Sequence, residues 1–161
     1  RVETADNAGD SDIQGFEISF QTALNNGLVF VVNYTYTDGE TALPSTSANG
    51  ARSIPFFKQA EDSANASFGY DKGPWDIRLA ANYRGDYLDE LGGDALADRY
   101  TDDFMQIDLT ARYEWNDNLT VRAEIINLND EPESYYFGNS RRLSQYDEYG
   151  TTYGLGVLYT F

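Results

Sequence analysis

The chain offers few side chains for covalent chemistry, and most of those are carboxylates. It contains no cysteine and no histidine, which excludes disulfides, thiolate metal sites, the Ser-His-Asp triad and the usual zinc centres. Adjacent acids such as Asp102-Asp103 and Asp147-Glu148 have the residue types of a general acid and base. No spacing or basic partner distinguishes them from solvated acidic loops. We therefore predict neither an enzymatic activity nor a cofactor.

Residues 86–98 form a carboxylate-rich segment. Oxygen-rich loops suit Ca²⁺, a hard cation, and the acids of this segment are Asp86, Asp89, Glu90, Asp94 and Asp98. Their spacing matches no EF-hand loop. We therefore predict no metal site, and leave open whether these loop acids bind Ca²⁺.

Residues 129–148 concentrate aromatic rings and the only Arg-Arg pair of the chain. Aromatic faces stack on sugar rings, and guanidinium groups bind hydroxyls, carboxylates or phosphates. We predict a site for a small-molecule or oligosaccharide ligand, formed by Tyr135, Tyr136, Phe137, Arg141, Arg142 and Tyr146. The alternative is that these rings only pack the loop against its neighbours or contact lipopolysaccharide.

The overall composition narrows the class of partner. Lys and Arg number 11 against 27 Asp and Glu, a net charge of −16, which repels phosphate backbones and argues against nucleic-acid binding. The longest apolar run, residues 28–32, is far shorter than the roughly 20 residues of a transmembrane helix. Alternating strands of about 9 to 11 residues suffice to span a bilayer in a closed barrel. A mean hydropathy of −0.55 is compatible with such a barrel.

Apolar and polar residues alternate along most of the chain, which indicates strands rather than helices. The final stretch, YGTTYGLGVLYTF, is the longest: one face carries aromatic and aliphatic residues, the other mainly Gly and Thr. The pattern predicts seven strands in all, at residues 13–24, 28–37, 63–71, 75–84, 104–115, 119–128 and 149–161. The fold class is therefore all-β.

The connections between these strands alternate in length. Tight turns are predicted at Asn25-Asn26-Gly27, Lys72-Gly73-Pro74 and Asn116-Asp117-Asn118, where Gly and Asn tolerate turn geometry. Long loops are predicted at residues 38–61, 85–102 and 129–148. An antiparallel up-and-down meander with one short-turn rim and one long-loop rim is the layout of bacterial outer-membrane barrels.

Alternation does not say which face is outside, since a soluble β-barrel turns its apolar face inward. Three features favour lipid outside, and the first is the asymmetry between short turns and long loops. Aromatics near the strand ends suit the membrane interface, and the polar face mixes both charge signs, through Arg78, Arg84, Arg112, Glu114, Arg122 and Glu124. Single-chain bacterial barrels have even strand numbers, so seven strands predict a piece of a larger barrel.

The chain resembles the C-terminal part of the β-barrel of TonB-dependent outer-membrane receptors, and looks closest to the proteobacterial branch often linked to carbohydrate uptake. The resemblance covers nearly all of residues 1–161. It rests on GFEISFQ (15–21), VNYTYTD (32–38), SANASFGYDKGPWDIRLAANYRGDY (63–87), DNLTVRAEIINLNDEP (117–132) and RLSQYDEYGTTYGLGVLYTF (142–161). The motifs are individually loose, but their order and spacing are specific.

The resemblance implies a barrel of about 22 strands, with an N-terminal plug and a TonB box that this sequence lacks. It implies a multi-pass barrel in a Gram-negative outer membrane, in contact with lipid and lipopolysaccharide. The expected function is active import of a scarce solute, oligosaccharide or siderophore-like, energised by the TonB complex through the missing N-terminal part. It also implies that Tyr159 and Phe161 form the signal that the barrel assembly machinery reads. The sequence shows no signal peptide, so the N-terminus of an exported protein is expected elsewhere.

Two alternatives stay open. One is a passive porin or a structural outer-membrane barrel, which has neither plug nor TonB box. The other is a soluble β-barrel binding protein, whose apolar face lies inside. Partition into detergent rather than buffer separates the soluble barrel from both the importer and the porin.

Overall fold

The computed structural model describes residues 9–44, 47 and 49–161. No helix long and apolar enough to cross a membrane occurs in these residues. They form twelve strands: β1 (Ser11–Ala23), β2 (Leu28–Leu43), β3 (Arg52–Pro55), β4 (Asp62–Lys72), β5 (Trp75–Arg84), β6 (Tyr87–Glu90), β7 (Arg99–Thr101), β8 (Phe104–Asn116), β9 (Leu119–Ile126), β10 (Glu133–Phe137), β11 (Leu143–Asp147) and β12 (Thr152–Tyr159).

The seven predicted strands are confirmed as the main sheet, in the order β1-β2-β4-β5-β8-β9-β12, with β3 paired to β2. Every neighbouring pair is antiparallel. Sequential strands are therefore neighbours, as in an up-and-down meander. Within the described residues, β1 and β12 each have one neighbour, so both edges of the sheet are open.

The register places most apolar residues of the seven strands on one face, whereas Val29 and Val31 lie on the other. One row crosses the sheet from β2 to β12, through Phe30, Phe68, Leu79, Leu109, Ile125 and Tyr153. The members of this row are half-buried or exposed, and Tyr153 is 74% accessible. Trp75, Ile77 and Tyr83 share this face, as the alternation predicts.

The opposite face is polar. The six charged residues predicted for it all lie there, since Arg78 and Glu124 both pair with Thr110, and Arg112 pairs with Arg122. A row of amide side chains crosses the same face from β2 to β8, through Asn33, Asn65, Asn82 and Gln106. The main sheet is thus a single layer with one apolar and one hydrogen-bonding surface.

All three tight turns and the C-terminus lie at one rim of the main sheet. Gly27 and Gly73 adopt φ of 95° and 61° in the first two turns, a conformation that glycine adopts without steric cost. In the third turn, Asn118 Nδ2 donates a hydrogen bond to the Thr160 carbonyl at 2.7 Å. Aromatic rings cluster near this rim: Trp75 and Tyr113 have centroids 4.3 Å apart.

The prediction of three long loops is wrong, because all three connections contain strands. β2 continues six residues past its predicted end, to Leu43, where it pairs with β3. The other two connections jointly form a second, four-stranded sheet in the order β11-β10-β7-β6. These strands are only three to five residues long, too short for alternation to be recognised.

Two predicted strands also end earlier or begin later than expected. β9 ends at Ile126 because Asn127 takes a φ of 57°, the left-handed region that breaks an extended strand. β12 begins at Thr152, since Gly150 has a φ of 73°.

The buried core lies at one rim of the main sheet. It consists of Leu43, Ile54 and Leu88, against which Leu91 and Tyr100 pack. The apolar core therefore joins the β2–β3 hairpin to the second sheet, at the rim opposite the tight turns. We name this region the mouth. It comprises β3, the second sheet, the rest of the connections at residues 85–103 and 127–151, and the adjoining ends of β2 and β5.

Candidate functional site

The six residues predicted to bind a ligand all lie on the β10–β11 hairpin, but the structure uses them differently. Tyr136 is buried. Its ring stacks on Tyr100 with centroids 5.3 Å apart, and its hydroxyl donates a hydrogen bond to Asp86 at 2.6 Å. Burial, and then this hydrogen bond, raise the pKa of the Tyr136 hydroxyl above its usual range. Tyr136 is thus part of the packed mouth.

Tyr135 lies on the other face of β10. The Arg99 guanidinium lies over its ring, 4.7 Å from the centroid, a favourable cation–π geometry. Burial raises the pKa of the Tyr135 hydroxyl. Phe137 is half-buried, and its N–H donates to the Arg142 carbonyl to close the hairpin.

The remaining three predicted residues are exposed. Arg142 donates a hydrogen bond from Nη1 to the Leu96 carbonyl at 2.6 Å, which ties the hairpin to the connection between β6 and β7. Tyr146 is 52% accessible, and Arg141 stands at the hairpin end. In this hairpin, Tyr146 and Arg141 are therefore exposed to solvent, whereas Tyr136 is buried in the mouth.

The acids of residues 86–98 are largely engaged in ion pairs. Asp98 is almost fully buried and receives both guanidinium arms of Arg52, at 2.6 and 2.7 Å, plus the Gly92 N–H. Asp89 pairs with Arg99 at 2.7 Å and more loosely with Lys58 at 3.5 Å. Within the described part of the chain, no group of three or more potential metal ligands is assembled.

Sequence reasoning missed Asn127, which organises the start of the mouth. Its side chain donates to the carbonyls of Glu131 and Gly150 and accepts the Glu131 N–H. Its own carbonyl accepts a hydrogen bond from the Thr151 hydroxyl at 2.8 Å. One buried asparagine therefore fixes both ends of the segment that carries β10 and β11. The signal in the sequence is an Asn-rich run directly after a strand, because Asn tolerates the left-handed region.

Arg84, at the end of β5, is a second residue whose surroundings the sequence did not show. Its guanidinium lies between two rings, 4.8 Å from the centroid of Tyr87 and 5.8 Å from that of Phe104. Its nearest carboxylate oxygen, on Glu133, is 3.8 Å away. The elements that surround it are adjacent in the fold but separated in the sequence, so no local motif announces the cluster.

Tyr159 and Phe161 lie together at the tight-turn rim. Their rings meet edge to face, with centroids 5.1 Å apart, and the Thr160 N–H between them donates to the Asn118 carbonyl. The last residues are therefore hydrogen-bonded to the β8–β9 turn.

The long antiparallel meander, its short-turn rim and its apolar outer surface are those of a membrane-type β-barrel wall. A family model described as "TonB dependent receptor-like, beta-barrel" matches residues 3–128. The chain therefore belongs to the TonB-dependent receptor-like β-barrel family, as the sequence motifs indicated. This family consists of receptors and is not a class of enzymes.

Comparison with individual proteins agrees with the family. The vitamin B12 transporter BtuB of Photobacterium profundum is 28% identical over 127 residues. The match covers 78% of this chain and 18% of that transporter. The chain thus spans only a small part of the length of this curated relative. No solved structure matches the chain.

Proposed function

We propose that this chain forms part of the barrel wall and external mouth of a TonB-dependent importer in a Gram-negative outer membrane. The observation that carries the proposal is the unbroken apolar surface across all seven strands of the main sheet, opposite a polar surface. Membership of the TonB-dependent receptor-like family supports transport as the kind of function. The apolar face contacts lipid, and the polar face lines the lumen.

The open edges support a larger barrel around these seven strands. Unpaired backbone groups at β1 and β12 are not tolerated in a bilayer, so other strands complete the wall. On this proposal the plug and the TonB contact belong to parts of the protein outside residues 1–161.

The imported solute is a small molecule or oligosaccharide that the mouth captures before entry. Tyr146 and Arg141 are the predicted residues that are exposed and whose side chains make no hydrogen bond within the described residues, and Tyr135 beside them is half-buried. Tyr136, Phe137 and Arg142 act as support for these residues. The B12 transporter named above places a corrinoid among the solutes to test, beside oligosaccharides and siderophore-like chelates.

Energy dependence tests the proposal. The gene is deleted in its host and restored on a plasmid, and uptake of candidate solutes is measured with and without a functional TonB. An importer shows saturable uptake that requires TonB. Uptake that persists without TonB identifies the passive porin instead, and recovery of the protein in the aqueous phase after detergent extraction identifies the soluble barrel.

The terminal aromatics are proposed as the assembly signal. Phe161 is fully exposed at the short-turn rim, where the assembly machinery can reach it in a nascent barrel. Replacing Phe161 by Ala should lower the amount of protein in the outer membrane, whereas replacing Tyr149, which is also exposed but lies at the other rim, should not. Equal outer-membrane levels of the two variants contradict the proposed signal.

A further inference from the structure

An open cleft of about 420 Å³ lies where the polar face of the main sheet meets the mouth. Its wall combines three kinds of group that serve different parts of a ligand. The lining groups are two amides, one arginine with one carboxylate, and two aromatic residues: Asn82, Gln106, Arg84, Glu133, Phe104 and Tyr149. Tyr83, which belongs to the apolar face, also borders the cleft. None of the six hairpin residues predicted above lines this cleft.

Arg84 is half-buried but only weakly hydrogen-bonded. Its hydrogen bonds, to the Tyr87 hydroxyl and the Asp102 carbonyl, are long, at 3.2 and 3.4 Å. Its Nε is buried and has no partner among the described residues. The Glu133 oxygen at 3.8 Å lies beyond hydrogen-bond distance. The Nε of Arg52 is also unpartnered, but both terminal nitrogens of Arg52 make short bonds to a single carboxylate.

The guanidinium of Arg84 is nevertheless held in place. The rings of Tyr87 and Phe104 lie near it, and the side chain is 29% accessible. A planar guanidinium that is oriented in advance and lacks a close anion is suited to a bidentate carboxylate. The Glu133 carboxylate lies 3.8 Å from Arg84, so a sugar carboxylate, with one charge, is repelled less at this position than a phosphate monoester with two.

The remainder of the cleft suits hydroxyl groups and a ring. Asn82 is exposed and belongs to the amide row, next to Gln106 on β8. Gln106 donates to Asp108 through Nε2, which leaves its carbonyl oxygen as an acceptor. Tyr149 is 70% accessible and offers a ring face for stacking.

We propose that this cleft binds a hydroxylated ring that carries a carboxylate, of the uronic-acid kind. Arg84 binds the carboxylate, Asn82 and Gln106 hydrogen-bond to hydroxyls, and Tyr149 contacts the apolar face of the ring. The inference rests on the proposed function and narrows its solute to an acidic saccharide. The amide row gives the polar face further hydroxyl-binding groups along the same surface.

Calorimetric titration of the complete receptor in detergent micelles tests the inference. The ligands are trigalacturonate, neutral maltotriose and a sugar phosphate. Trigalacturonate should bind most tightly, and Arg84→Gln should weaken its binding by a factor of about 10 to 100, the range for a charge-assisted hydrogen bond. Arg84→Lys should give an intermediate loss, since an ammonium keeps the charge but cannot make the bidentate contact of a guanidinium. Arg78→Gln is the matched control, because Arg78 lies on the same strand and face outside the cleft.

The outcomes separate this inference from the proposed function. Equal losses in the Arg84 and Arg78 variants, tighter binding of the phosphate or of maltotriose, or no binding of trigalacturonate would overturn the acidic-saccharide assignment. Heat-modifiable gel mobility and residual maltotriose binding check that Arg84→Gln still folds. TonB-dependent uptake of another solute by the same protein leaves the importer proposal standing while the cleft assignment fails.

Discussion

The arginines of the mouth differ in how completely each is neutralised. Arg52 is paired through both arms with a carboxylate that is only 2% accessible, and Arg99 pairs with Asp89. Arg84 has no such close partner. A buried pair is expensive to break, because the surviving charge stays desolvated. Arg52 and Arg99 therefore have structural roles, whereas Arg84 keeps the capacity to bind an added anion.

The Arg52–Asp98 pair should stabilise the mouth measurably. Asp98→Asn removes the charge that neutralises Arg52, and we expect the mouth to lose about 3 kcal/mol of local stability. Amide hydrogen exchange of β6, β7 and β10 measures this loss. Lys58→Met serves as the control, since its exposed pair with Asp89 should contribute at most about 1 kcal/mol. Similar exchange rates in both variants would contradict the role given to the buried pair.

Asn127 combines a left-handed backbone with several buried hydrogen bonds. Asn127→Ala loses the side-chain bonds and keeps the unfavourable φ, so we expect a loss of roughly 2–4 kcal/mol. Asn127→Gly relieves the backbone and should lose less. Thermal unfolding in detergent measures both variants. If the left-handed backbone of Asn127 contributes, the Ala variant is less stable than the Gly variant. The reverse order excludes backbone strain as a cause.

Among the elements, the two edge strands of the main sheet tolerate added side chains differently. A Cβ at Gly15 on β1 would lie 2.3 Å from the Tyr36 carbonyl oxygen of β2, whereas a Cβ at Gly156 on β12 has nothing within 4 Å. Gly15→Ala should therefore destabilise the β1–β2 pair by about 1–3 kcal/mol. Gly156→Ala should be neutral. Heat-modifiable mobility of the two variants gives the comparison, and equal behaviour would show that β1 shifts to absorb the methyl group.

The long strands could be predicted from sequence because each carries its own alternation. The short strands of the mouth could not, for two reasons. β6 and β10 contain register shifts, after Leu88 and after Tyr135, which interrupt period two. Their partners also come from distant segments, so pairing of Tyr136 with Tyr100 is invisible locally.

The same limit applies to the candidate site. Composition placed a ligand site on the β10–β11 hairpin, but it could not show that Tyr136 is buried by contacts with Tyr100 and with Asp86, fifty residues away. Nor could it bring Glu133 and Tyr149 to Arg84. Residue type predicts what a side chain can bind, whereas the fold decides whether it remains available.

At the scale of the whole molecule, the main sheet has no apolar layer to cover its apolar face within the described residues. Phe20, Leu155 and Val157 are each more than half accessible, while the buried core is confined to the mouth. Large exposed apolar surfaces in a soluble monomer lead to association. The sheet therefore needs lipid, detergent or further protein on that face.

We accordingly expect residues 1–161 expressed alone to give no stable water-soluble monomer. The material should aggregate in buffer and partition into detergent, as measured by phase separation and size-exclusion chromatography. A monodisperse, folded species in detergent-free buffer would contradict the lipid-facing assignment of the apolar face.

In the second sheet, β6 and β7 come from the connection between β5 and β8, and β10 and β11 come from the connection between β9 and β12. The two connections are joined by the pairing of β7 with β10. The two connections therefore form one structural unit. Replacing only one of them with the equivalent segment of a related chain should leave β7 or β10 with an unpaired edge. Replacing both together should transfer the second sheet intact onto an unchanged main sheet.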